Sequence, residues 1–378
     1  MDKQGALSSM RRMGVFIFYD ASGILDEYVE VLLASMQFVL SKLIIVVNGN
    51  IESKGYDKLK KYSSDIFVRE NLGFDAGGYK DTFTKYISKD EVKQWDEIIM
   101  FNDTFYGPLY SWEDIFKSME NEEVDFWGLS RHPGRLHGLK WMPQHIQSYF
   151  LVCRKPLISS AAWNEFWMKL IYPVSIQDAI ESFEIGFTLY FTKNDFKCKA
   201  ITDSEKVVYK GNPYVCYSFE LLRDMKFPII KRKAISLCSF ANVSKALEYI
   251  STSTKYDVNL IYSHIRRLQK EGRYNIFEPF NLLEMEKFYY KHERIYIYGH
   301  GKCGTGVATY FDYRGWKYKA FIVTETRNDK EDQLFNEVNF LLTDGIILAL
   351  GDNVFKEVYP IVKNQLSKEQ VLLPKWYV

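Results

Sequence analysis

The chain has 378 residues, with 49 basic against 48 acidic side chains and a formal charge of +1. Near-neutrality argues against a general nucleic-acid binder, whose affinity rests on neutralising many phosphates, and the length exceeds what one compact core usually holds. Five cysteines (Cys153, Cys198, Cys216, Cys238 and Cys303) form no C-x-x-C pair, which argues against a disulfide framework or structural zinc. No stretch approaches the roughly 18 uncharged apolar residues of a membrane span, so the expectation is a cytoplasmic protein, soluble or peripheral to a membrane.

The run Val15 to Asp20 is short, apolar and β-rich, and ends in a carboxylate. Leu25 to Leu40 has helical spacing, and Leu43 to Gly49 is a second strand of the buried type. Strand, helix, strand with fully apolar strands implies a parallel sheet covered on both faces. Ligands of such sheets sit at the carboxyl ends of the strands, where Asp20 and Asn48 fall. Both residues are candidates for the base and ribose of a nucleotide, and both equally suit capping of the following helix. Asp65 to Arg69 is a third strand. It leads into Arg69-Glu-Asn-Leu-Gly-Phe-Asp-Ala-Gly-Gly-Tyr79, where Arg69, Asn71 and Asp75 alternate with Gly73, Gly77 and Gly78 ahead of a helix over Tyr79–Ile87. Side-chain donors and bare backbone would converge there on a phosphate-rich polar ligand, with Lys80 nearby; a glycine-rich turn is the plainer reading.

Glu97 to Phe101 is the next strand and runs into Asn102-Asp103-Thr104. Val124 to Gly128 and Gln147 to Cys153 read as two more, and Lys197 to Ile201 as the strand that closes the sheet. Gln177 to Asn194 reads as a helix with Phe183, Phe187 and Phe191 on one face and Glu184 beside that stripe. From Glu205 to Tyr290 the order turns helical, over Ser244–Ile250, Asn259–Glu271 and Leu282–Tyr290. Arg294 to Gly304 restarts a strand and turn with Gly299-x-Gly301-x-x-Gly304, followed by a helix and strands near 318–324, 345–350 and 371–373. Glu325 lies where a ribose ligand would fall. This last unit is expected to be half a Rossmann fold, serving as a scaffold, a nucleotide or nucleotide-sugar site, or a dinucleotide site. The fold class is thus α/β: a mostly parallel sugar-nucleotide domain over 1–204, a helical connector over 205–291 and a small Rossmann-like unit over 292–378.

Four segments in order, Arg69-Glu-Asn-Leu-Gly-Phe-Asp75, Asn102-Asp-Thr-Phe-Tyr-Gly-Pro108, Asp125-Phe-Trp-Gly128 and His145-Ile-Gln-Ser-Tyr-Phe150, resemble the rhamnan synthesis protein F family. That family's pattern is R-x-N-x-G-F-D, N-D-S-x-Y-G-P, D-F-W-G and H-x-Q-S-Y-F, and the resemblance covers about residues 14–240. Thr104 replaces the usual serine, and Gly77-Gly78-Tyr79 stands where the family often has a bulkier aromatic pair. The resemblance implies a GT-A-type glycosyltransferase that builds cell-surface polysaccharide at the inner face of the plasma membrane. The donor would be a nucleotide sugar, dTDP-rhamnose first, and the acceptor a lipid-linked or polysaccharide chain. The resemblance and position place Arg69, Asn71, Asp75, Asn102 and Lys80 on the donor side, and Asp125, Trp127, His145, Gln147 and Tyr149 on the sugar or acceptor side, with a structural role equally apt for Asp125 and core packing the plainer reading of Trp127. Asp103 would hold a divalent cation, Mg²⁺ or Mn²⁺, with one carboxylate where two are usual. Glu184 would be the general base of an inverting transfer, with Asp178, Glu181 and Asp125 as competitors. A non-catalytic sugar-nucleotide or glycan-binding scaffold is the alternative.

Overall fold

A computed structural model describes residues 10–137, 140–203, 212–237, 240–271, 273, 282–325 and 332–374. Cys238 lies outside the described residues. The chain divides into two compact units, the first made of residues 1–214 with 224–232 and the second of 215–223 with 233–378.

In the first unit the strands are β1 (Arg12–Phe18), β2 (Lys42–Asn48), β3 (Asp65–Arg69), β4 (Glu97–Asn102), β5 (Phe105–Tyr106), β6 (Phe126–His132), β7 (Arg135–His137), β8 (Lys140–Met142), β9 (His145–Ile146), β10 (Phe150–Arg154), β11 (Cys198–Asp203) and β12 (Ile230–Lys231). The central sheet has the order β11-β6-β10-β4-β1-β2-β3, with β9 on β6. Its pairings are parallel except those of β10 with β4 and β6 and of β9 with β6. This is the mostly parallel α/β sheet expected, and β1 is buried along its whole length, as helices on both faces require. One face packs Val15, Ile17, Ile44, Val46, Ile98 and Met100 under Tyr79, Phe83, Trp163, Trp167, Phe183 and Phe187. The phenylalanine stripe at 183, 187 and 191 is core, as its helical spacing predicts.

Three local differences matter for the site. β1 begins at Arg12, three residues before the apolar run, because Arg12 Nε lies 2.6 Å from Glu97 Oε2 and the buried charge is paired. The helix after β3 begins at Phe74 rather than Tyr79, since Gly73 turns the chain in the left-handed region at φ 78°. The strand expected over 147–153 starts only at Phe150, because Gln147, Ser148 and Tyr149 bond other side chains at the point where the chain steps from β9 to β10. Thr82–Tyr86 and Ile180–Ile185 are π-helical turns, a geometry that recurs at functional sites.

The second unit holds helices over Phe240–Ser253, Asn259–Lys270 and Leu282–Lys291. It also holds the strands β13 (Arg294–Tyr298), β14 (Ala320–Val323), β15 (Gln333–Leu334), β16 (Asp344–Leu348) and β17 (Val371–Leu372). All four pairings are parallel in the order β15-β14-β13-β16-β17. That order places the switch point between β13 and β16 and exceeds the half-fold expected from length. The glycines have separate tasks. Gly299 turns at φ 101°, and a Cβ on Gly304 would sit 1.6 Å from the Gly299 carbonyl oxygen, so the helix Lys302–Arg314 approaches β13 only with glycine there. Gly301, the N-cap, faces open space, while Glu325 is exposed beyond the end of β14. His300, between the glycines, stacks at 3.7 Å on Phe321 and pairs with Asp332. Gly304→Ala is expected to destabilise this unit by about 2 kcal/mol, measured as a lowered urea midpoint by circular dichroism; an unchanged midpoint would refute this packing role.

Candidate functional site

The carboxyl edge of the first sheet gathers the polar residues of several motifs, beginning at the end of β3. Arg69 donates from Nε to Asp81 Oδ2 at 2.6 Å, from one terminal nitrogen to Asn48 Oδ1 at 2.6 Å and from the other to the Leu72 carbonyl at 2.8 Å. Asn48 in turn donates to the Phe74 carbonyl at 2.8 Å. Burial alone would raise the Asp81 carboxyl, but hydrogen bonds from Lys85 and Tyr172 and the Arg69 charge outweigh it and hold Asp81 below its ordinary value. Arg69 and Asn48 therefore brace the turn that presents Asp75, and the guanidinium expected on the donor is turned inward. Lys80 is also redirected: its ammonium caps the helix Ala161–Lys169 through the Trp167 and Met168 carbonyls. Asn71 is exposed on the turn. The glycines serve the fold itself, since a Cβ on Gly77 would meet the Leu72 oxygen at 2.0 Å and one on Gly78 would meet Ile17 at 2.8 Å.

Asp75 and the Asn102-Asp103 corner converge. Asn102 donates to Asp75 Oδ2 at 3.0 Å and accepts at Oδ1 from the Thr104 hydroxyl at 2.7 Å, so the hydroxyl shared with the family's serine fixes the amide. Burial raises the Asp75 carboxyl, an effect opposed by the Ala76 amide and reinforced by the charge of Glu184. Asp103 accepts at Oδ2 from Arg232 at 2.8 Å and from the Tyr28 phenol at 3.3 Å. Burial lifts Asp103 to about 6 even though Arg232 pulls it down, and Asp20 adds to the rise. Asp20 itself accepts at Oδ1 from the Ser22 and Ile24 amides at 2.9 and 3.2 Å, the capping geometry of a tight turn.

The facing wall is the step from β9 to β10. Glu184, in the π-helical turn, accepts at Oε2 from the Ser148 amide at 2.9 Å and hydroxyl at 2.8 Å, and its Oε1 lies 3.3 Å from His145 Nε2. His145 Nδ1 lies 2.8 Å from the Pro143 carbonyl. Burial alone would raise Glu184, but His145, the charge of Lys231 and the Ser148 amide hold it at about 2. Gln147 and Tyr149 both bond the buried Ser130 hydroxyl, so they and the buried His145 support the wall from behind.

Two expected acceptor residues lie elsewhere. Asp125 precedes β6 at the opposite, amino-terminal edge of the sheet, where its Oδ2 accepts from the Lys197 amide at 2.8 Å. Trp127 is wholly buried, with Phe116 5.2 Å away edge-on, so no face of its ring is presented to a sugar. Sequence reasoning missed Ser148, Tyr28, Lys231 and Arg232. Ser148 stood within a quoted motif, whereas Arg232 reaches Asp103 across 129 residues and carried no local signal.

The divalent cation fits poorly. Among the described residues no group of three or more His, Cys, Asp or Glu side chains is placed to hold a metal ion, and the one carboxylate expected to do so is bonded to a guanidinium and a phenol. Also among the described residues, no helix is long and apolar enough to cross a membrane.

Glu184, faced by His145, Lys231 and Asp75, gives the site a measurable acid signature. Its folded value of about 2 lies below the ordinary 4.5, so the stability it contributes is complete above pH 4.5 and is lost as pH falls through 2. Relative to Glu184→Gln, the unmodified protein should lose roughly 3 kcal/mol of unfolding free energy between pH 5 and 2. Urea titrations at each pH measure the difference, and parallel curves for the two proteins would contradict the assignment.

The sequence profile of the rhamnan synthesis protein F family matches residues 43–334. The uncharacterized protein y4gN of Sinorhizobium fredii (strain NBRC 101917 / NGR234) is 21% identical over 268 residues, which cover 69% of this chain and 60% of that protein. This chain therefore matches less than two thirds of that relative's length. Among solved structures, a putative nucleotide-diphospho-sugar transferase from Desulfovibrio desulfuricans G20 is 12% identical, with 68% of this chain and 99% of that one covered and a TM-score of 0.34. The mannosyltransferase Ktr4p of S. cerevisiae is 6% identical, with 48% and 65% covered and a TM-score of 0.30. At such scores these two likenesses assign nothing to this chain.

Proposed function

The chain belongs to the rhamnan synthesis protein F family, and from that premise we propose that it is a GT-A-type glycosyltransferase acting on a nucleotide-diphosphate sugar. Rhamnose carried on dTDP is the first candidate donor, and the acceptor is a growing cell-surface polysaccharide, free or lipid-linked, at the inner face of the plasma membrane. The observation that carries this reading is the gathering of Asp75, Asn102, Asp103 and Glu184 at one sheet edge, with contacts of 3.0 Å between Asn102 and Asp75 and 2.8 Å between Arg232 and Asp103. Asp75, Asn102 and Asp103 come from two separate motifs of the family pattern and Glu184 is held by Ser148 of another, and carboxyl edges are where α/β sheets take their ligands.

In an inverting transfer the acceptor hydroxyl attacks the anomeric carbon. Its proton passes to a carboxylate, the new C–O bond forms, and the anomeric C–O bond breaks with its electron pair leaving on the nucleoside diphosphate. Glu184 is the proton acceptor in this proposal. Its anchors at Ser148 and His145 fix its direction, and it stays ionised at any working pH because its value is about 2. The same low value makes it a weak base. Asp75, raised by burial and facing it, is the second reading for that role.

Incubation with a panel of nucleotide sugars and an oligosaccharide acceptor tests the activity, read as release of nucleoside diphosphate. Turnover with one donor is expected; a donor that binds with no release under any acceptor would leave a binding protein instead. Glu184→Gln should lower kcat by roughly a hundredfold or more, with a smaller loss for Asp75→Asn, and the reverse order would move the base to Asp75. The profile of kcat/KM against pH should show an acid limb near 6 as Asp103 protonates and loosens its hold on Arg232. Glu184 titrates too low to produce that limb, so a flat profile down to pH 4.5 would separate Asp103 from the reaction.

A further inference from the structure

Pro228 to Arg232 belongs to none of the motifs that mark the rest of the site, yet it brings two cations to it. β12 pairs antiparallel with β5, Ile230 opposite Tyr106 and Lys231 opposite Phe105, and the Arg232 amide donates to the Thr104 carbonyl at 3.0 Å. A further backbone bond, from the Leu109 amide to the Pro228 carbonyl at 2.8 Å, locks the segment along the chain leaving Asp103. From it Lys231 Nζ stands 4.2 Å above the Tyr149 ring, where its charge also reaches Glu184. Arg232 bonds Asp103 Oδ2 at 2.8 Å, the Asp103 carbonyl at 3.3 Å and the Tyr28 phenol at 3.1 Å.

A sugar nucleotide brings a diphosphate into an edge already crowded with Asp20, Asp75, Asp103 and Glu184. In water-poor surroundings like charges at such separations repel strongly, so binding needs a compensating cation. A divalent ion does this where paired carboxylates hold it. Here Asp103 Oδ2 already accepts from a guanidinium and a phenol, so an ion ligated by that oxygen would have to displace both.

We propose that Lys231 and Arg232 are the diphosphate-binding cations of this site, held there by the β5–β12 ladder, and that they take the part a divalent ion would otherwise play. The chemistry is complementary. Arginine offers N–H donors in a planar fork that matches phosphate oxygens. Lysine adds a compact charge on the side toward Glu184, where the leaving diphosphate and the acceptor meet. Asp103 then acts as a positioning residue that aims Arg232, which explains a lone carboxylate in the second motif. This inference rests on the sugar-nucleotide reading above and names the residues that receive its diphosphate.

Calorimetry of the full chain with pyrophosphate, UDP, GDP and dTDP, each in EDTA and again in Mg²⁺ or Mn²⁺, tests it. Binding in EDTA is expected, changed less than about threefold by either metal, and weakened about tenfold or more in Lys231→Gln, the loss of one charge-assisted contact. Arg232→Gln leaves Asp103 buried without its cation and risks the fold, so Arg232→Lys is the companion variant, expected to keep Asp103 paired and to weaken binding less than Arg232→Gln does. Binding that appears only with metal, or a folded Lys231→Gln protein that binds as before, overturns the cation assignment while the transferase reading stands. No binding of any of the four probes in either condition overturns both.

Discussion

The buried guanidinium of Arg69 is the contact on which the carboxyl edge depends. It ties the last residue of β2, the turn after β3 and the helix beyond into one piece through Asn48, Leu72 and Asp81. Taking a guanidinium and a carboxylate out of water is costly, and their attraction repays this only when geometry is good and the remaining donors are satisfied. Both conditions hold here, with the two side chains 7% and 5% exposed and three of the guanidinium's acceptors in place. Because Asn48 then holds the Phe74 carbonyl, the first turn of the helix is pinned and Asp75 is aimed at Asn102.

Around that scaffold, carboxylates of the same chemical type are driven apart. Glu184 meets an imidazole, an amide and a hydroxyl and falls to about 2, while Asp103, with one guanidinium against deep burial, rises to about 6. Divergence of this kind is how one site keeps a permanent anion beside a group that titrates near neutrality. The separation is made by neighbours from distant parts of the chain: Ser148 and His145 for the one, Tyr28 and Arg232 for the other.

Much of the sheet was legible because its strands are buried on both faces, so Val15–Phe18, Leu43–Val47 and Ile98–Phe101 are continuous apolar runs that announce themselves. Departures came where a polar contact overrides the pattern. Arg12 extends β1 past the apolar run through its pair with Glu97, and Ser148 leaves the expected strand to reach Glu184. Trp127, adjacent to an aspartate in a motif, takes the plainer of its two readings and packs in the core against Phe116 and Phe150. In the second unit the short strand Gln333–Leu334 has too few residues for any periodicity, so its five-stranded order was beyond reach from spacing alone.

By itself the sequence determined the class of fold, the succession of most of its strands along the chain and the family, since these follow from apolar runs, glycine positions and ordered motifs that are local along the chain. It also named the turn that would carry Asp75 and the corner that would carry Asp103. Only the tertiary structure decided which way each charged group faces. Arg69 and Lys80 turn inward to carbonyls and carboxylates, Asp125 falls at the far edge of the sheet, and Arg232 arrives from 129 residues away. The physical reason is that a charge is placed by the partners available where the chain folds back on itself, and such partners have no fixed separation in sequence.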